Sequence, residues 1–354
     1  MSTSTKQQTN TAKTRKEWPT PKTLTVVEAH VLSYKKTLTT VEAVALALHI
    51  AAPESPTGAI DTYTNIARAL LQYAEREKLN NFEEITPEQT EHFITKETHG
   101  LAFLATEETH LRRNLLMLIH LACNMRGINL PRHAANVTNL KPRVGGARRP
   151  LTDDEILLAR LASKYKPFQG PSLSQTGRDT RTLRAALWGI VESGAGSGEL
   201  AELTPRHITS NGINMHVNLA GTRDAHPRRV ELTTWATNQY RDLQTQLNPD
   251  PERNPGLFYN GQHPPRSNEA QGSTSGVLSE ILQYAGLKQI GIKALQAPFW
   301  HARAIFNQTQ KLTDAAQILG STSLKTITLL GINPDHLNGT SQKKQNEFTQ
   351  ELAA

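Results

Sequence analysis

Residues 213–232 open with Ile213-Asn214-Met215-His216-Val217-Asn218-Leu219, run through Ala220 to Arg228, and close with Arg229-Val230-Glu231-Leu232. Ile213, Met215, Val217 and Leu219 recur at every second position, the spacing of a strand half-buried on a core. The middle stretch predicts a turn and Arg229–Leu232 a returning strand. Arg223, Arg228 and Arg229 make this hairpin basic. On either side of it the apolar spacing is helical, so the expected fold class is mainly α with a small β-hairpin or sheet.

Upstream, Tyr63, Ile66, Ala67, Leu70, Leu71 and Ala74 fall three and four residues apart and predict a packed helix. Thr86-Pro87-Glu88-Gln89 is a capping box that starts the next, before Phe93 and Ile94. A third is expected over about 107–126, with Leu111, Leu115, Leu118, Ile119 and Ala122 inward and Arg112, Arg113 and Arg126 elsewhere. Between Leu130 and Pro150 the periodicity stops, and prolines and glycines alternate with Arg132, Lys141, Arg143, Arg148 and Arg149, the pattern of an extended basic linker. A second capping box, Thr152-Asp153-Asp154-Glu155, opens another helical region. Downstream, helices are expected at about 181–191, 233–247 and 275–285, with two or three more between 300 and 330. The organisation expected is a basic tail over 1–20, a helical unit over 21–129, a linker over 130–150, a larger unit over 151–333 and a polar tail over 334–354.

The chain has 354 residues, 39 Lys plus Arg against 32 Asp plus Glu, a net charge of +7 and one cysteine. Cys123 alone cannot close an intrachain disulfide or build a cysteine-rich metal site, which predicts a cytoplasmic home. The apolar stretch Val41 to Ala52 is interrupted by Glu42 and His49 and falls short of the roughly 18 residues a membrane helix needs. A basic balance favours a polyanionic partner. Gly194-Ala195-Gly196-Ser197-Gly198 follows a helical segment rather than a strand and lacks both G-x-G-x-x-G spacing and a following Lys-Ser/Thr, so a helix–helix turn is expected there, not a phosphate loop. No histidine pair has metal-ligand spacing and no G-x-S-x-G element occurs; neither a metal nor a cofactor is expected.

The order of parts resembles the tyrosine recombinase (phage integrase) family: a helical unit, a basic linker, the Pro150-Leu151-Thr152-Asp153-Asp154-Glu155 start, and a larger helical unit carrying a hairpin. Ser193 to Leu203, with Gly196 and Glu199-Leu200, is similar to the family's Thr-Gly-Leu-Arg-x-x-Glu-Leu box. The 213–232 hairpin resembles the one that bears the catalytic lysine. Leu257-Phe258-Tyr259 and the helix after it resemble the approach to the second arginine box, and Gln317-Ile318-Leu319-Gly320-Ser321-Thr322-Ser323 the Leu-Gly-His-Ser-Ser segment before the nucleophile. The resemblance implies a core-binding unit and a catalytic-type unit that clamp duplex DNA, and a dimer or higher homo-oligomer on it.

Strand cleavage of that kind requires arginines to clamp the developing phosphate charge, a lysine to protonate the leaving oxygen and a tyrosine to attack. The first arginine position holds Gly196, and the His-x-x-Arg positions hold Leu295 and Pro298. The lysine is replaced by Thr222 or Arg223, the histidine is Ser321, and the tyrosine position is Leu330. Tyr284 is the last tyrosine of the chain. Catalysis is therefore expected to be lost. What remains is binding of double-stranded DNA, with candidate contacts at Arg112, Arg113, Lys141, Arg143, Arg148, Arg149, Arg178, Arg181, Arg184, Arg223, Arg228 and Arg229, and at His301 and Arg303 as residual site residues. An accessory or regulatory role on a phage or mobile element fits this. Two alternatives stand beside it: an active recombinase using Tyr259, Tyr284 or a partner subunit's residue, and a protein-interaction scaffold.

Overall fold

The computed structural model describes residues 35, 37–56, 58–96, 105–143, 149–165, 179–247, 256–259, 263–321 and 330. Within them the chain is mostly helical, with one small antiparallel sheet. The expected tails fall outside the described residues.

Caps set several helix starts. Helix α1 (Thr40–Ala51) begins where Thr39 Oγ1 accepts from Glu42 N at 3.3 Å and the Glu42 carboxylate accepts from Thr39 N at 3.0 Å. Helix α2 (Ala59–Arg76) buries Tyr63, Ala67, Leu70, Leu71 and Ala74, as their spacing predicts. Helix α3 (Pro87–Thr95) starts at the expected Thr86–Gln89 box, whose two bonds are 3.2 and 3.0 Å. Helix α4 (Thr106–Asn124) departs from expectation. It packs on α1, α2, α3 and the later helix α5 (Asp153–Lys164), and every residue from Arg112 to Cys123 is buried. A helix surrounded on all sides has no solvent face, so Arg112 and Arg113 point into the protein.

Part of the expected linker is described. Residues 130–143 lie back along α4 because polar side chains of that helix bind their backbone. Asn124 Oδ1 accepts from Leu130 N at 3.2 Å and Arg113 Nε donates to Val137 O at 3.0 Å; His110 Nε2 lies 2.8 Å from Lys141 O. A segment without a ladder of its own must find such partners once it is packed. Residues 144–148 fall outside the described residues.

Helix α6 (Thr180–Ser193) packs closely on α8 (Thr234–Gln244): a Cβ at Gly189 would sit 2.9 Å from Ala236 Cα. Between them come one turn of helix, α7 (Ser197–Leu200), and strands β1 (Ile208–Ser210), β2 (Met215–Leu219) and β3 (Arg228–Glu231), hydrogen-bonded in that order. Met215, Val217 and Leu219 are buried as the alternation predicts. Ile213 is not: it is 83% exposed, because Asn211 N donates to Asn214 O at 3.1 Å and the chain turns before the strand begins. The three residues of β1 are too few to show an alternating pattern. Gly221 lets the hairpin turn close, at φ 82° with a Cβ that would sit 2.6 Å from Ala225 O.

Helix α9 (Asn268–Tyr284) begins earlier than the expected 275, since Ser267 caps it by accepting from Ala270 N at 3.2 Å. Helices α10 (Ala297–Thr309) and α11 (Leu312–Leu319) complete the described fold. Residues before and after position 150 share one buried core. Tyr63 Oη donates to Asp154 O at 3.3 Å, Arg160 Nη1 to Glu54 O at 2.9 Å, and Trp235 Nε1 to the Glu54 carboxylate at 2.6 Å.

Candidate nucleic-acid interface

Most of the arginines singled out as phosphate contacts are engaged inside the protein. Arg112 donates through Nε and Nη2 to Glu108 at 3.1 and 2.6 Å, through Nη1 to Phe93 O at 2.8 Å, and stacks over the Phe93 ring. Arg113 reaches Val137 O and, at 2.6 Å, Gly286 O; burial, with Arg132 nearby, brings its pKa down to about 10. Arg143 makes a paired contact with Asp154 at 3.2 and 3.0 Å and also faces Glu155 and Glu107. Burial by itself would raise the Asp154 carboxyl, yet Arg143 outweighs it and holds the group below its ordinary value. Arg149 forks onto Glu155, and Arg184 reaches Glu280 at 2.9 Å.

These engagements have one cause. A buried guanidinium requires a carboxylate or carbonyl partner, and Glu155, read in the sequence as a helix cap, supplies it to both Arg143 and Arg149. Arg148 and Arg178 fall outside the described residues. Of the remainder, Lys141, Arg223 and Arg229 are exposed, Arg303 is half-exposed, and Arg181 is exposed but paired with Asp179 at 3.1 Å.

Arg228 has the most crowded surroundings. Antiparallel pairing sets Leu219 opposite Arg228 and Val217 opposite Val230. Residues 228 and 230 therefore share the inward face. The guanidinium donates from Nη1 to Glu199 at 2.8 Å and His226 O at 3.1 Å. From Nη2 it donates to Gly194 O at 2.8 Å and Glu199 at 2.9 Å, and from Nε to Ile318 O at 3.1 Å. All five N–H groups of an arginine are thus engaged. Glu199 also accepts from Gly196 N at 2.8 Å and Gly221 N at 3.1 Å. The end of α11 closes over this pair: a Cβ at Gly320 would meet Arg228 at 2.7 Å, and His226 N donates to Gly320 O at 2.7 Å. The Gly-Ala-Gly-Ser-Gly stretch is the expected helix–helix turn, folded around an arginine instead of a phosphate.

Of the positions that the family resemblance assigns to cleavage, Gly196, Thr222 and Ser321 lie beside this pair. Gly196 has only the Glu199 carboxylate near its missing Cβ, at 3.5 Å. Thr222 is exposed on the hairpin turn, Pro298 is buried in the first turn of α10, and Ser321 follows Gly320 half-buried. Leu295 is 56% exposed on the rim of a cavity of about 340 Å³, and Leu330 is fully buried. His301 is buried, with Nδ1 2.8 Å from Ser193 O; burial pushes its pKa down. Tyr284 packs its ring against Tyr165 and Arg184, and burial raises its phenol. It also lies about 15 Å further along α9 than Thr274, which reaches Ser197 O beside the Arg228 pair. Tyr259 Oη accepts from His263 N at 3.3 Å.

One continuous surface joins the hairpin turn, the start of α7 and the first turns of α9. A Cβ at Gly198 would lie 3.4 Å from both Thr222 and Gln271. Ser197 and Ser275 continue it into the 340 Å³ cavity, whose rim carries Lys288, Lys293 and Leu295. Arg223, Lys288 and Lys293 are exposed and form no ion pair among the described residues, and Gly272 and Gly276 leave open space along α9. The surface thus combines free cations, small residues and the positive end of a 17-residue helix. Sequence reasoning found Arg223 and missed Lys288, Lys293 and Gln271, which sit in segments without a motif. Among the described residues no cluster of His, Cys, Asp and Glu could hold a metal, and no helix is long and apolar enough to cross a membrane.

No protein-family model and no curated protein matches the chain. Solved structures do match. One is the crystal structure of XerA recombinase, at 17% identity and a TM-score of 0.38 over 88% of this chain and 98% of that one. A second is a lambda integrase dimer bound to a COC' core site, at 16% identity and a TM-score of 0.37 over 87% and 81%. A third is XerH site-specific recombinase bound to difH substrate, at 17% identity and a TM-score of 0.41 over 80% and 79%.

Proposed function

We propose that this chain binds double-stranded DNA on a tyrosine-recombinase-like scaffold without cutting it, as an accessory or regulatory factor of a phage or mobile element. In this reading the units over 21–129 and 151–333 are the two arms that hold the duplex, and copies assemble on neighbouring sites. The observation that carries the reading is Arg228: the one guanidinium at the centre of the would-be phosphate site spends all its N–H groups on Glu199 and backbone carbonyls. It has none left to stabilise a phosphorane-like transition state. The tyrosine position is a buried leucine, Leu330. Just outside this pair, Arg223, Lys288 and Lys293 are free to neutralise backbone phosphates, which is the sequence-independent part of DNA affinity.

The test is fluorescence anisotropy on a labelled duplex across a salt series, followed by a denaturing gel on a nicked duplex. The reading expects tight binding at about 50 mM salt that weakens steeply with added salt, and no protein–DNA adduct on the gel. A denaturation-resistant adduct would make the chain an active recombinase. Binding no better than a neutral control protein would leave the scaffold reading.

A further inference from the structure

A second cleft opens beside the Arg228 pair and shares with it Ile318, whose carbonyl accepts from Arg228 Nε at 3.1 Å. It encloses about 810 Å³ between the Pro53–Pro56 turn, the end of β3, the start of α8 and the outer side of α10. Its floor is a stack in which the Arg160 guanidinium lies 4.9 Å from the Trp235 ring centre and 5.4 Å from that of Trp300. Both indole N–H groups are already placed, Trp235 on Glu54 and Trp300 on Asp153, each at 2.6 Å. Arg160 is likewise engaged, with Glu192 through Nε and Nη2 and with Glu54 O through Nη1.

Three features decide what this cleft can hold. First, its cation is neutralised while its carboxylates are not. Asp153 and Glu231 are exposed, and Glu231 has only a 3.7 Å contact with His216. The wall therefore repels phosphate. Second, His301 is nine-tenths buried in the same wall and fixes Nδ1 on Ser193 O, so the proton sits on Nδ1 and Nε2 is left as an acceptor without a partner among the described residues. A neutral imidazole held in this way takes an N–H or O–H donor at Nε2. Third, Trp300 is half-buried, and together with Pro53, Pro56 and Ile305 it offers a flat apolar surface at the opening.

A planar cation rich in N–H groups meets all three conditions. We infer that this cleft is a binding site for the arginine side chain of a peptide segment of a partner protein, its guanidinium lying against Trp300, donating to His301 Nε2 and drawn by Glu231 and Asp153. The cleft is thus a protein-docking site.

The test uses the full chain and the blocked dipeptide N-acetyl-Arg-Pro-amide, titrated by calorimetry beside its citrulline counterpart, which keeps the shape and loses the charge. The expected result is saturable binding of the arginine peptide and at least roughly tenfold weaker binding of the citrulline peptide. Glu231→Gln and Trp300→Phe, both at the opening, should each weaken the arginine peptide about threefold or more. His301→Gln should weaken it as well, and the two surface variants keep the test sound if that buried substitution impairs folding. Equal binding of both peptides, no binding of either, or displacement of the peptide by adenosine monophosphate or short duplex DNA would each overturn the assignment.

Discussion

Glu199 and Arg228 face each other through two bonds of 2.8 and 2.9 Å, one from the helical turn after Gly196 and the other from the inner face of β3. The pair ties α7, the hairpin and the end of α11 together. Truncating one member leaves a buried charge without its partner. Arg228→Met or Glu199→Leu should therefore cost about 3–5 kcal/mol of stability, whereas the two combined should cost less than the two single changes added together. Urea denaturation of the four proteins measures this. Additive costs would mean that the pair is not the hub its geometry describes.

Arg149 and the Lys288–Lys293 pair should behave in opposite ways. Arg149 is 9% exposed and forks onto Glu155, so Arg149→Ala should lower the melting temperature and leave the salt dependence of DNA binding unchanged. Lys288→Ala with Lys293→Ala should leave stability nearly unchanged and flatten the slope of log K against log salt by up to about 2 units. Anisotropy in a salt series, with thermal melts alongside, separates the two outcomes.

Gly196 has room for a side chain, since the nearest atom to a Cβ there is the Glu199 carboxylate at 3.5 Å. Gly196→Arg should add a cation beside the DNA-facing surface and raise duplex affinity severalfold at low salt. It should still form no covalent adduct, because no tyrosine follows Tyr284 in the sequence. Anisotropy and a denaturing gel on a nicked duplex check both halves of the expectation.

His120 is buried on α4 with Nδ1 2.9 Å from Leu130 O, and burial pulls its pKa from 6.5 to about 4. The folded state keeps this ring neutral while the unfolded chain protonates it below pH 6.5. Its contribution to stability is therefore complete above pH 6.5 and disappears as the pH falls toward 4, a change of about 3 kcal/mol. His110 and His301 are shifted the same way by burial and add to the acid limb. His120→Gln should flatten that limb, as read from urea midpoints between pH 7 and pH 4.

The helices with caps were legible residue by residue. Thr86-x-x-Gln89 and Thr152-x-x-Glu155 close a local hydrogen-bond ring that needs nothing from the rest of the chain, and both start a helix where the spacing places it. The hairpin was legible for the same reason, since alternation over Met215–Leu219 reports a single buried face. Legibility failed where the deciding partner was distant in sequence. α4 has the composition of an amphipathic helix, and only its position among four others buries Arg112 and Arg113.

By itself the sequence determined the mainly helical class, the hairpin, the chain's net positive charge, and the absence of a tyrosine after Tyr284. These depend on local periodicity, capping and composition. The tertiary structure alone decided which cations face solvent. A guanidinium and a carboxylate brought together in a low-dielectric interior neutralise each other, and a linear reading cannot say which Glu meets which Arg. Thus Arg143, Arg149 and Arg228, which look alike in sequence to Arg223, became internal ties, and Lys288 and Lys293, which carry no motif, became the exposed charge.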